Sequence, residues 1–328
     1  MRCFWDERQR AHAPQAEFFN GALHPAAEHG GRVESVLAAI GPTEAPGDHG
    51  APPLLRVHSA DYLEFLRNAH GEWQAAGREG DAFPYTFPVV RRRPLEFDRI
   101  DAKLGQYSYD TSTPIGEATW HAVYWGAQTA LGALAAAQSE GKAFAFCRPP
   151  GHHAGRDYCG GYSYLNNAAV AAEQALADGA RRVAILDVDY HHGNGTQDIF
   201  AGREDVLFAS LHADPRTDYP FFWGHADENG GNILNLPLPR GTEFPAYDEA
   251  LACALEWLGE GEPELLIVSF GADTYAGDPI SHFALQTADY ARMAERIATL
   301  GLPALIVMEG GYAVEELGTN VAAFLNGF

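Results

Sequence analysis

Cysteine is scarce in this chain and is nowhere paired in sequence: Cys3, Cys147, Cys159 and Cys253 stand far apart, with no C-x-x-C spacing. That distribution argues against a disulfide framework and against a sulfur-ligated zinc site. Positive charge is also short, 22 Lys+Arg against 44 Asp+Glu, for a formal net charge of −22. Such an imbalance repels nucleic-acid phosphates and anionic lipid and attracts cations. It suits plain solubility and the steering of cationic substrates equally well. No stretch of ~18 apolar residues runs without a charge or a breaker. The opening MRCFWDERQR carries charges where a signal peptide needs an apolar run. A soluble cytoplasmic protein without a nucleic-acid or membrane partner is the expectation. Internal repeats, low-complexity tails and heptad runs are missing too.

What is present is an alternation of short apolar stretches with longer alanine-rich ones. The strand candidates are 143–147 (AFAFC), 183–188 (VAILDV), 206–211 (VLFASL), 265–270 (LLIVSF) and 304–308 (ALIVM). The helix candidates are 116–138, 165–178, 246–259, 287–300 and 314–326. Continuous apolar strands between helices predict a parallel sheet covered on both faces, because a sheet with one wet face would alternate polar and apolar residues. The expected fold class is α/β: one domain over 1–328, built on an open, mostly parallel sheet with helices on both faces. The segment 71–114, rich in Pro, Gly, Arg and aromatics, shows no clear period and reads as an irregular insertion.

Four of the strands run directly into polar clusters: RPPGHHAG, DYHHGNG, GADTYAGD and EGGY. Ligands of open parallel sheets bind beyond the carboxyl ends of strands, so the four clusters are expected to converge. On an extended backbone Asp187, Asp189 and His191 share one side while Val188 and Tyr190 take the other. Two carboxylates that close repel by several kcal/mol unless a cation or hydrogen bonds compensate them, which points to a metal. Asp273, just past another strand end, can complete a set of two oxygens and one nitrogen with open positions. Zinc fits such a set, and Fe(II) or Co(II) would also suit it. His152 and His153, side by side between glycines, are candidates for proton transfer. Asp187 and Asn194 are available behind them, and the carboxylate-backed ring should be the more basic. Tyr312, after two glycines, can donate to the oxygen of a polarised carbonyl.

Taken in order and spacing, PGHHAG, DVDYHHGNGT, GADTYAGDP and EGGY closely resemble the histone deacetylase family within the arginase–deacetylase superfamily. Within it the chain looks most like bacterial acetylpolyamine amidohydrolases. The resemblance implies that Asp189, His191 and Asp273 bind zinc and that His153 is the general base and acid. It also implies that His152, paired with Asp187, assists electrostatically and that Tyr312 stabilises the oxyanion. A structural potassium ion is implied at Asp187, Ser210 and Leu211, and a second near Phe200 and Val206. Tyr162 and Tyr219 would line the acyl-amine tunnel. Glu17 and Glu117 would contact substrate, Glu117 standing in where Ser112 replaces a glutamate of the type enzyme. The insertion would lie at a homodimer interface and narrow the mouth, admitting thin cationic N-acyl amines. A protein deacetylase acting on acetyl-lysine shares every catalytic residue and is the alternative reading. A catalytically silent acyl-binding protein would need a lost ligand or a lost tyrosine, and an arginase-like enzyme would need further bridging aspartates; neither pattern is seen.

Overall fold

Runs of Val, Ile, Leu and Phe without alternation must be covered on both sides, and here they become the centre of one sheet. The computed structural model describes residues 1–88 and 95–328. The strands are β1 Arg2–Phe4, β2 Glu17–Phe19, β3 Ala22–His24, β4 Lys142–Ala145, β5 Val183–Asp187, β6 Val206–Ala213, β7 Ile233–Leu238, β8 Leu265–Phe270 and β9 Ala304–Met308. The helices are α1 Gly31–Ile40, α2 Pro52–Val57, α3 Ala60–Ala75, α4 Ile100–Tyr107, α5 Thr119–Glu140, α6 Asn167–Ala177, α7 Asn194–Phe200, α8 Phe244–Glu260, α9 Thr287–Ala298 and α10 Val314–Gly327. Seven strands form one sheet in the order β1-β4-β9-β8-β5-β6-β7, with every neighbouring pair parallel. The hairpin β2–β3 stands apart from it.

Successive strand residues alternate faces and so feed two cores. Val183, Ile185, Phe208, Ile267 and Val307 pack with α3, α5 and α6. Ala184, Leu186, Leu211, Val268 and Met308 pack with α1, α8, α9 and α10. The chain steps from β5 to β6 in one direction and from β8 to β9 in the other, so the strand order reverses between β5 and β8. At such a reversal the loops diverge and leave a crevice at the carboxyl ends. The four motif-bearing strands β4, β9, β8 and β5 are consecutive neighbours in the sheet.

The expected strands and helices are all present, with ends that shift by a few residues at most. Three corrections follow from short or edge elements. β1 and the hairpin strands are three residues each, too short to show a period. β7 contains Pro237 and is only partly buried along most of its length, as the edge position allows. The segment 71–114 is not wholly irregular: it begins within α3 and contains α4, whose Ile100, Leu104 and Tyr107 are buried at helical spacing. Its residues 89–94 lie outside the described residues.

Candidate active site

Beyond β5 the backbone alternates as expected: Val188 and Tyr190 are fully buried in the core, and the intervening acids turn to the crevice. The Oδ1 of Asp189 accepts the His191 backbone N–H at 2.8 Å, and its Oδ2 accepts that of Gly310 at 2.8 Å. Asp273, from the adjacent β8 end, accepts the Tyr190 N–H at 2.9 Å. His191 Nδ1 lies 3.0 Å from Asp273 Oδ2 and 3.4 Å from Asp189 Oδ1. Asp189, His191 and Asp273 offer ligand atoms that all lie within 4.8 Å of one another. Two glycines keep the space open: a Cβ on Gly271 would stand 2.0 Å from Asp189 Oδ2, and one on Gly310 2.6 Å from Asp273 Oδ2.

The electrostatics are those of a cation site. Burial and then the neighbouring Asp189 push Asp273 up to about 7. For Asp189 burial works upward too, but His152 and His191 outweigh it and hold the acid below the usual carboxylate range. With Asp187 and Glu309, four carboxyl groups are gathered almost wholly out of water. A dipositive ion is the natural counter-charge for such a donor set, and two oxygens plus one imidazole suit zinc.

The paired histidines differ as their partners require. His152 Nδ1 is 2.9 Å from Asp187 Oδ2. Burial would lower its pKa, but Asp187 and then Asp189 raise it to about 10. His153 Nδ1 is 2.7 Å from Asn194 Oδ1, a pure acceptor, so Nδ1 carries the proton and Nε2 keeps its lone pair. Burial, followed by the charges of His152 and His191, lowers the pKa of His153. The two rings are 4.0 Å apart, and His153 is 6.1 Å from the His191 ring. Tyr312 is buried, which keeps its phenol protonated. Its ring lies 5.6 Å from that of Tyr162, and Asp278 accepts its backbone N–H at 2.7 Å.

The remaining expected residues fall into three groups. Tyr219 stands 5.2 Å from the His153 ring, and Tyr162 is hydrogen-bonded to the buried Glu17 of β2, so these three meet at the crevice. Asp187 and Ser210 are cross-strand partners in β5 and β6, with Leu211 following. The Ser210 hydroxyl lies 2.9 Å from His212 Nδ1 and 3.2 Å from His192 Nδ1. The Phe200 and Val206 carbonyls both accept from Asn232 Nδ2, at 2.7 and 2.8 Å. Glu117 is exposed just before α5, and no hydrogen bond or ion pair joins it to another of the expected site residues among the described residues.

Sequence reasoning assigned no role to Glu309, the acid of EGGY. Its Oε2 accepts the Gly151 and His152 N–H groups at 2.6 and 3.1 Å, which ties the end of β9 to the histidine loop. Burial pushes it up to about 7. Behind it lies a buried Arg32–Glu28–Arg148 cluster. Arg32 and Arg148 each donate to Glu28 Oε1 at 2.9 Å, and Arg32 also donates to the carbonyls of Glu309 and Gly311 at 2.5 and 2.8 Å. Burial alone would raise Glu28, but Arg148 and Arg32 bring it down to about 2. The available signal was the i, i+4 spacing of Glu28 and Arg32 and the arginine that begins RPPGHHAG.

The chain matches the profile of the histone deacetylase domain over residues 32–328. It is 49% identical over 342 residues to acetylpolyamine amidohydrolase 1 of Pseudomonas aeruginosa, covering 100% of this chain and 99% of that one. It is 44% identical over 338 residues to an acetylpolyamine amidohydrolase of Mycoplana ramosa, covering 100% and 99%. The crystal structure of acetylpolyamine aminohydrolase from Burkholderia pseudomallei superposes with a TM-score of 0.95 at 40% identity, covering 100% of this chain and 98% of that one. The seven-stranded sheet with its flanking helices is therefore the arginase–deacetylase fold. With a domain match across most of its length and full-length relatives well above 30% identity, the chain belongs to the histone deacetylase family.

Proposed function

We propose that this protein is a zinc-dependent amide hydrolase that removes acetyl or short acyl groups from acetylpolyamines or other small cationic N-acyl amines. The observation that carries the reading is the convergence of Asp189, His191 and Asp273 beside a histidine with a free Nε2. The names of the full-length relatives support the substrate class. So does the formal charge of −22, which favours the approach of cations.

Asp189, His191 and Asp273 would hold zinc, with Fe(II) or Co(II) as alternatives; such an ion polarises an amide carbonyl and lowers the pKa of water from 15.7 toward roughly 7. His153 Nε2 accepts the proton of the attacking water, while Nδ1 stays fixed on Asn194. His152, held on Asp187, keeps a positive charge against His153, which favours rapid return of that proton to the departing nitrogen. The Tyr312 hydroxyl donates to the carbonyl oxygen as negative charge builds there. Tyr162 and Tyr219 flank the path of the chain being cut. The products are a carboxylic acid and an amine. Structural potassium at Asp187, Ser210 and Leu211, and at Phe200 and Val206, belongs to the same proposal.

The deciding experiment is a panel of acetylated diamines, polyamines and acetyl-lysine peptides, assayed with metal-stripped and metal-reconstituted protein. Hydrolysis that needs added zinc and favours the small cations is expected. Equal rates without metal would overturn the mechanism, and preference for the peptides would move the function to protein deacetylation. The reading includes a cytoplasmic homodimer joined through 71–114. Deletion of residues 80–95 should shift the protein to the monomer position in size-exclusion chromatography; an unchanged position would remove the insertion from the interface.

A further inference from the structure

Water reaches the metal-ligand cluster where His191, Tyr162 and Tyr219 are each only partly buried. Of these rings, Tyr219 touches the reaction centre broadly, 5.2 Å from His153 and 6.1 Å from His191. Its hydroxyl is 2.8 Å from Asp110 Oδ2 and 2.5 Å from the Tyr109 hydroxyl. Tyr219 has a single proton to give, and an ionised carboxylate is the stronger acceptor. The proton therefore goes to Asp110, and the single proton of the Tyr109 hydroxyl is shared between Tyr219 and Asn194 Oδ1, 3.4 Å away. Asp110 is itself fixed, accepting the Gly161 N–H at 2.7 Å and the Ser112 N–H at 3.1 Å. Tyr109 stacks beside Tyr219 with centroids 6.2 Å apart.

A phenol that donates to a carboxylate gains electron density on its ring, which deepens the negative potential of the aromatic face. That face attracts cations through the ring quadrupole, more strongly where water is partly excluded. We propose that Asp110 is a specificity-determining residue that acts through Tyr219. By accepting the phenol's hydrogen bond, it makes the ring beside the substrate path prefer amides whose chain carries a positive charge a few methylenes from the scissile bond. The inference rests on the cationic-substrate reading above and adds to it the residue pair that selects the charge.

The test compares mono-acetylated cadaverine with N-hexylacetamide, its neutral isostere. The readout is the ratio of their kcat/KM values in the wild type, Tyr219→Phe, Asp110→Asn and the double variant. The ratio is internal to each preparation, so a partly misfolded variant does not disturb it. Each single substitution should lower the ratio by about fivefold, and the double variant should lower it no further. A ratio that stays put while both substrates slow together means a merely structural role and overturns the proposal. So does a fall confined to Asp110→Asn, which would mean direct attraction by the carboxylate. A wild type with no preference for the cation would sink the substrate reading as well. A preference that survives in all the variants sinks this inference alone.

Discussion

At the scale of single residues, the site is a set of groups whose protonation is decided by their second contacts. His152 and His153 are the same side chain on adjacent positions, yet one faces a carboxylate and the other an amide oxygen. In the proposed mechanism the first is therefore the cation and the second the base. Burial holds the Tyr312 phenol protonated against the Arg32 guanidinium 5.1 Å over its ring, and Tyr162, Asp273 and Asp189 add to the effect of burial. A protonated phenol can donate, and removing that donor should cost turnover without disturbing the ligands. Tyr312→Phe is expected to lower kcat by about 10²-fold or more. Its metal content, measured by elemental analysis, should stay at the wild-type level; full activity in this variant would take Tyr312 out of the mechanism.

Helices and strands carry the next level of control, and α6 shows how. Asn166 caps this helix, its Oδ1 accepting the Ala169 N–H at 2.9 Å. Its Nδ2 donates at 3.1 Å to the carbonyl of Ala154, directly after the paired histidines, and at 3.0 Å to the Thr196 hydroxyl. Asn166→Ala removes the cap, worth about 1 kcal/mol, and strands a buried carbonyl at a further ~1–3 kcal/mol. The urea midpoint should fall accordingly with an unchanged slope, and kcat should fall with it. A loss under about 0.5 kcal/mol would show that the histidine loop holds itself.

The same elements explain what was legible beforehand. β5, β8 and β9 are continuous apolar runs bounded by polar clusters, so both their identity and the acids at their ends could be read directly. The convergence of Asp189, His191 and Asp273 followed from the rule for parallel sheets. α4 was hidden because its three large buried apolar side chains follow directly on a stretch of Pro and Arg residues that blurs the period. Glu309 was hidden for a different reason: an acid whose partners are backbone N–H groups leaves no mark in the pattern of side chains.

For the whole molecule, the core sets a limit in acid. His12 and His58 are buried, and burial holds each at about 4 against an ordinary 6.5. His58 also accepts the Asn166 N–H on Nε2 at 3.0 Å, which protonation would break. Below pH 6.5 the unfolded chain takes up protons that the folded chain refuses until about pH 4. The stability due to these rings is thus complete above 6.5 and is lost as pH falls through that window. At pH 5 the loss is on the order of 2 kcal/mol per histidine. Urea midpoints at pH 7.5 and pH 5 test this, and equal values would show that the rings charge freely in the folded state.

The adjacency of β4, β9, β8 and β5 has a metric consequence. Neighbouring strands keep a spacing of about 4.8 Å because backbone hydrogen bonds impose it, so four of them make a ruler roughly 14 Å wide. Each mark on that ruler carries one of the four polar clusters, and no side chain sets the interval. Surface segments elsewhere can lengthen, shrink or change charge, while the graduations stay where the peptide lattice puts them.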